Sequence, residues 1–334
     1  MKKVIFFFLM FSNSLFSQTT QELEDIGLLI DDALFYSDRF LTPAADAAIY
    51  QISSGWMHSA KKRPLWDVTI GVHANAFFIP NTKVDFAIKN EDFSFFTIEG
   101  ATTATVPTAM GNANFVYLVG ELGSGATAQP VRLRTPLGID QRVVLYPNLI
   151  GSVSLWHGTE LLVKYIPKLT LKGREGKGYG FGFKHNLDQY FKSLQAHKIN
   201  LSSIIVFSNE AVDFDFLDIQ TSLGNLGINK MAANVNTYQF QFGVSKDYNK
   251  FEIITGIIAN RSDIRYRLSG EKGQIENVIP LQSIVNDRLR EIYKTKYNYL
   301  GEVSCRYKIN KMYVQTTLAF GKYVNTNMAF QYEF

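Results

Sequence analysis

The feature that most constrains this chain is an alternation of two residues that runs far longer than a globular strand. Between Trp66 and Phe78, the residues Trp66, Val68, Ile70, Val72, Ala74, Ala76 and Phe78 alternate with Asp67, Thr69, Gly71, His73, Asn75 and Phe77. A period of two is that of a β-strand whose two faces meet different surroundings. Globular strands average about five or six residues, whereas a strand that crosses a bilayer at a tilt needs about 9–11. The pattern recurs at 160–171, 237–245 and 296–309. In those runs Lys, Glu and Arg gather on one phase, and aliphatic and aromatic residues on the other. That segregation predicts a wet inner wall and an apolar outer wall.

The spacing predicts an all-β fold, a transmembrane antiparallel β-barrel of about 12 strands with a range of 10–14. The expected strands fall near 65–79, 82–89, 92–100, 142–156, 159–171, 177–187, 199–209, 236–246, 250–269, 292–309, 311–321 and 325–334. Connectors after even-numbered strands are mostly short, as at His157-Gly158 and Asn310, while 101–141, 210–235 and 270–291 follow odd-numbered strands and are long. Short periplasmic turns opposite long extracellular loops are the topology of outer-membrane barrels. Composition supports this by exclusion. No run of about 18 apolar residues exists, which removes a helical membrane bundle. A formal charge of +4 without a block of Lys/Arg argues against a nucleic-acid surface. The single cysteine, Cys305, removes an internal disulfide and any multi-Cys metal site. It falls on the lipid-facing phase of its strand, where a thiol acts as a small hydrophobe.

Both termini carry their own signals. Lys2 and Lys3, the apolar run Val4–Phe11 and the small residues 14–17 predict a secretory signal over 1–17, cut before Gln18. The chain is therefore expected to be exported and to reside in the outer membrane of a Gram-negative cell. Residues 18–63 form the next unit. Leu23, Ile26, Ile30, Ala33 and Leu34 recur at helical spacing, and a second short helix is expected from Thr42 as N-cap with Pro43 at N1. This segment is expected to lie inside the barrel, 64–334, as a plug, because a barrel much wider than about eight strands is not filled by its own side chains. At the other end Met328, Phe330, Tyr332 and Phe334 alternate, and a last strand ending in Phe resembles the signal read by the barrel-assembly machinery. Trp66, Tyr332 and Phe334 lie at strand ends and suit an interfacial aromatic girdle.

Candidate lumen-lining residues follow from strand phase: Asp67, Thr69, His73, Asn75, Glu160, Lys164, Lys168, Gly178, Gly180, Gly182, Glu302 and Arg306. Glycines on alternate positions leave a wall that another backbone, or a ligand, can approach closely, or mark a bend that closes the barrel. No helix follows them, which speaks against a phosphate loop. No two of the five histidines share metal-ligand spacing, and no cofactor or metal is expected. His73 is favoured as a hydrogen-bonded lumen residue over a catalytic base.

Residues 151–169 (GSVSLWHGTELLVKYIPKL) and 178–191 (GYGFGFKHNLDQYF) resemble a family of uncharacterised outer-membrane barrels, a domain of unknown function. That resemblance implies fold and location but no activity. The helical segment ahead of the first strand is also similar in layout to the hatch of FadL/TodX-type transporters. Three readings follow: a channel or transporter for a small solute, hydrophobic solutes included, gated by the N-terminal segment; a structural or secretion-associated barrel without flux; and, least favoured, a barrel-embedded hydrolase. Lipid, a solute and the assembly machinery are the expected partners.

Overall fold

The computed structural model describes all residues except 1, 126–127, 141, 172–173, 216–219, 222–223, 226, 274–275 and 277–279. The side chains of 2–20, 22, 23, 169, 171, 174, 214, 220, 221, 224 and 225 also lie outside the description, and with the first of these the expected signal segment 1–17 and its cleavage point.

Ten strands close into one antiparallel barrel: β1 (Val68–Phe78), β2 (Val143–Ser154), β3 (Thr159–Leu171), β4 (Arg174–Asn186), β5 (Ile199–Asp215), β6 (Lys230–Tyr248), β7 (Phe251–Ser269), β8 (Lys294–Ile309), β9 (Met312–Phe320) and β10 (Val324–Glu333). Each pairs with the next in sequence, and β10 returns to β1 from Thr69↔Glu333 to Phe78↔Val324. Closure leaves no strand edge unpaired, the condition for a sheet to sit in hydrocarbon. The outward phase is apolar, with Val72, Leu145, Val163, Phe181, Ile205, Ile257, Val303 and Phe330 exposed, and Cys305 is on it. At the short-turn end, Asn249 and Asn310 take the left-handed conformation that asparagine tolerates.

The barrel has ten strands rather than about twelve. The two runs near 82–89 and 92–100 leave the wall and enter the 79–142 connection. There Asp85–Lys89 pairs with Thr103–Pro107, and Thr97–Ile98 joins Tyr117–Leu122 and Gln129–Arg134. Their alternation is real, but the dry face packs on protein: Ile88, Ile98, Val106, Leu118 and Leu133 are buried in the main core. Removing two consecutive strands keeps the parity of the connections, so the three longest, after β1, β5 and β7, emerge at one end, while 187–198, with the short helix Lys192–Ala196, is the exception at the other.

The helix also differs from expectation. One helix, α1 (Lys2–Ser53), runs through Pro43 without a break. Thr42 is not a cap; its hydroxyl donates to the Asp38 carbonyl at 2.7 Å. Pro43 offers no N–H to the turn before it, and nearby the Phe40 carbonyl accepts from Ala109 N–H of the 79–142 connection at 2.8 Å.

Two zones divide the interior. β6 and β7 are 19 residues each, and their long-loop halves turn Met231, Ala233, Val235, Ile264, Tyr266 and Leu268 inward. These pack with Leu29, Ile30, Leu34 and Phe40 of α1 into one apolar core above the polar lumen. The expected limits of β5 and β6, 199–209 and 236–246, cover only the lower zone, whereas those of β7, 250–269, cover the whole strand.

The strand count can be checked by labelling. On a Cys305→Ser background in liposomes, Lys89→Cys and Ser94→Cys should react with a membrane-impermeant maleimide, and Val72→Cys and Tyr299→Cys should be protected. Protection at residue 89 would return that segment to the wall.

Candidate functional site

Residues 46–63 occupy the polar lumen, and the helix ends inside it at Ser53. Beyond that point the backbone has no helical partners, and buried peptide groups need others. The wall supplies them. Lys164 on β3 donates to the carbonyls of Ile52 and Ser54 at 3.1 and 2.7 Å. Gln239 on β6 donates to Ser53 O at 3.0 Å, and Glu302 on β8 accepts from Gly55 N–H at 2.9 Å. Gln315 on β9 reaches Met57 O at 3.1 Å. Asn186 on β4 and Ser202 on β5 share Ala60 O at 3.0 and 2.7 Å, and Lys184 reaches Lys61 O at 3.0 Å. Asn325 on β10 and Asn260 on β7 hold the hydroxyls of Ser54 and Ser53 at 2.5 and 2.9 Å.

Two glycines make room for the bulky part of this segment. A Cβ on Gly180 would lie 2.8 Å from the Trp56 ring, and one on Gly243 would overlap Met57. Trp56 and Met57 are fully buried, and Lys164 Nζ stands 4.5 Å from the Trp56 ring centre. Gly178 and Gly182 instead face wall side chains, Ile166 for the first, Val206 and Leu162 for the second.

Charges close both ends. At the short-turn mouth Arg63 pairs with Glu333 at 2.7 Å, Asp67 at 3.5 Å and Glu160 at 3.9 Å, and also bonds Thr69. Lys184 pairs with Glu160 at 2.6 Å, Arg306 with Glu333 at 2.7 Å and Glu252 at 3.6 Å, and Lys61 with Asp247 at 2.5 Å. At the long-loop mouth Asp46 bonds Lys296 and accepts from the Tyr323 hydroxyl at 2.7 Å. Outside the barrel, in the 79–142 connection, hydrogen bonding from Arg132 holds the Glu99 carboxyl below its ordinary range.

Eleven of the twelve candidate residues thus sit in the lumen or at its rim, Asp67 just before β1 at the mouth. Lys168 does not. A bulge between Ile166 and Leu169, at Pro167, flips the phase of β3, and Lys168 is exposed and paired with Glu175 at 2.6 Å. His73 bonds Asn327 at 3.1 Å and Asn327 bonds Asn75 at 2.5 Å. The His73 and His58 rings are 5.5 Å apart, and Nε2 of each has no hydrogen-bond partner among the described residues. No serine hydroxyl stands against either ring in the described hydrogen bonds. No group of His, Cys, Asp or Glu suited to a metal is found among the described residues. Sequence reasoning missed Gly243 and the amide wall of Gln239, Gln315, Asn260 and Asn325. The inward phase of their strands carried that signal; their partners in 52–61 could not be read.

The geometry defines a class: a closed antiparallel barrel with an apolar exterior and a lumen filled by the chain's own N-terminal segment. Within that class the chain belongs to a family of unknown function (DUF6588), whose family model matches residues 1–334. No curated protein matches it. Among solved structures it is similar to the translocator domain of the autotransporter NalP from Neisseria meningitidis, with 11% identity, TM-score 0.35, and 90% of this chain and 99% of that one covered. It is also similar to the β domain of the Bordetella autotransporter BrkA, with 8% identity, TM-score 0.36 and coverage of 81% and 100%. A third is the outer-membrane protease OmpT from Escherichia coli, with 9% identity, TM-score 0.28 and coverage of 83% and 100%.

The seat of Trp56 is testable. Gly180→Ala should lower stability by about 1–3 kcal/mol through overpacking, read as an earlier thermal transition in detergent. Adding Trp56→Leu should restore much of the loss. Equal transitions for Gly180→Ala and wild type would mean that the ring does not press on β4.

Proposed function

We propose that this protein is an outer-membrane barrel, closed at rest, that carries the segment ahead of β1 through its own lumen and presents it with the 79–142 connection at the cell surface. The observation that carries this reading is the direction of the segment. Asp32 accepts from the N–H groups of Ser94, Phe95 and Phe96 at 2.7–2.8 Å, and Asp25 from Gly123 N–H at 2.8 Å, all at the long-loop end. Lys61 and Arg63 lie at the short-turn end. Long loops of such barrels are extracellular, so residues 24–40 lie outside the cell and 61–63 at the periplasmic mouth. The lumen between is sealed by 46–63, which favours a barrel without flux over an open pore.

A second reading, gated passage of a small solute, is favoured by one observation. The seal is polar: Gln51 Nε2, Gln239 Oε1 and both side-chain atoms of Asn148 are buried without a protein partner among the described residues. Such groups accept water readily, so a wet path beside the segment costs less here than in an apolar interface.

The two readings separate in two measurements. Glu24→Cys on the Cys305→Ser background should label with an impermeant maleimide on intact cells. Labelling only after the outer membrane is opened would overturn the threaded topology. In planar bilayers the wild type should stay closed. Lys164→Ala with Glu302→Ala leaves backbone groups unpaired, at about 1–3 kcal/mol each, and should raise the frequency of open events. Uptake by wild-type protein that saturates with one solute would favour gated transport.

A further inference from the structure

The outward face of β4–β9 departs from a plain apolar band in two ways that fit one ligand. First, it is recessed. Between β4 and β8 the side chains of Phe181, Phe207, Tyr238, Phe240 and Tyr299 stand around the small Ala259, leaving a trough of about 600 Å³. A second recess of about 530 Å³ shares Ala259 and Tyr299 and is bounded on its far side by Phe320, whose ring lies on Gly301. Tyr299, 77% exposed, is the ridge between them. Small residues among large ones shape two adjoining apolar recesses that cross the strands, the first from β4 to β8 and the second from β6 to β9, wide enough for acyl chains.

Second, the upper rim is cationic. The outward phase of β7 reads Phe251, Ile253, Thr255, Ile257, Ala259 and then Arg261, Asp263, Arg265, Arg267. Arg261 lies in register with Tyr238 and Tyr297, the aromatic row that ends the apolar band. Arg265 is opposite Asn234 and Arg267 opposite Ala232. Asp263 takes up part of this charge, bonding Arg261 at 3.2 Å and Thr295 at 2.6 Å. Further round the same rows lie Lys177, exposed, and the carboxylates of Glu175 and Asp213. Asn209 bonds Asn234 and Asn236 at 2.6 and 2.8 Å and forms a polar shelf beside the arginines. Guanidinium groups pair with phosphate in bidentate fashion, and basic residues at a membrane surface attract anionic head groups.

We infer that this face is a binding site for an anionic, multiply acylated membrane lipid, its acyl chains in the two recesses on either side of Tyr299 and its phosphate on Arg261, Arg265 and Arg267. The inference rests on the barrel spanning a membrane, and not on which end faces out or on the fate of the luminal segment. A free phosphate would not need the recesses, and a neutral lipid would not need the arginines.

The test uses full-length protein in detergent mixed with a bisphosphorylated, multiply acylated glycolipid (lipid A), retained lipid being measured by native mass spectrometry. Retention should fall roughly fivefold per guanidinium removed in Arg261→Gln, Arg265→Gln and Arg267→Gln. It should fall as well in Ala259→Trp, which fills the trough and touches no charge. The dephosphorylated lipid should bind no better to wild type than to the triple variant, and inorganic phosphate should not compete. Thermal transitions like that of wild type show that each variant is folded. Equal retention by wild type and folded variants would overturn the site. So would a wild-type dimer that Ala259→Trp makes monomeric without changing lipid retention, because the face would then be an interface between copies.

Discussion

Everything about this interior depends on where the backbone groups of residues 52–61 find their partners. Below Ser53 the chain is no longer helical, yet it runs through the middle of a barrel whose outside is apolar. A peptide group left bare there costs about as much as the loss of a hydrogen bond. The inward phase of seven strands therefore carries groups that can reach a backbone, such as Lys164, Asn186, Ser202, Gln239, Glu302, Gln315 and Asn325. The wall is polar because its contents are backbone. Above Tyr50 the opposite holds. There α1 satisfies its own peptides, so the wall needs only to exclude water, and Val235, Ile264, Tyr266 and Leu268 do so.

That division explains how the ionic groups are spent. Taking an ion pair out of water gains little net stability, whereas removing one partner of a buried pair is costly. Arg63, Glu160, Lys184, Glu252, Arg306 and Glu333 form a chain of such pairs at one level, the short-turn mouth. Their geometry fixes the exit of the segment into β1 more than it adds to the total stability. The register of the segment is fixed instead by shape, through Trp56 on Gly180 and Met57 on Gly243.

Much of the barrel was legible because a wall that is apolar outside and polar inside imposes one rule on every strand. Ten segments show the long alternation, and their inward phase identified the lumen at Thr69, His73, Glu160, Lys164, Glu302 and Arg306. The rule fails where a different apolar medium meets the dry side. Residues 82–89 alternate just as well and 92–100 do so in part, but their dry side faces α1 and its neighbours, through contacts such as Tyr36 with Phe86 and Phe35 with Phe93. Lys168 was misplaced because a bulge changes phase without changing composition. Thr42-Pro43 reads locally as a helix start; in the structure the helix continues through it, with Ala44, Ala45, Ala47 and Ala48 buried. Pairings across the lumen, such as Gly180 with Trp56, are between residues more than a hundred positions apart and leave no local trace.

The segment is also a mechanical object. Its upper part, α1 with the sheet of the 79–142 connection, is joined by contacts such as Asp32 with Ser94–Phe96 and Phe40 with Ala109. That assembly, a helix with several short strands, is broader than the single irregular stretch 54–63 in the bore. At the lower end the chain passes directly into β1 and is tied into the wall. The protein is thus interlocked like a rod with a stopper at one end and a weld at the other. The rod cannot be drawn out whole in either direction while the ring is closed. An opening requires either an unravelling within the bore or the undocking of α1 from the 79–142 connection, and the second route breaks the Asp32 and Asp25 hydrogen bonds.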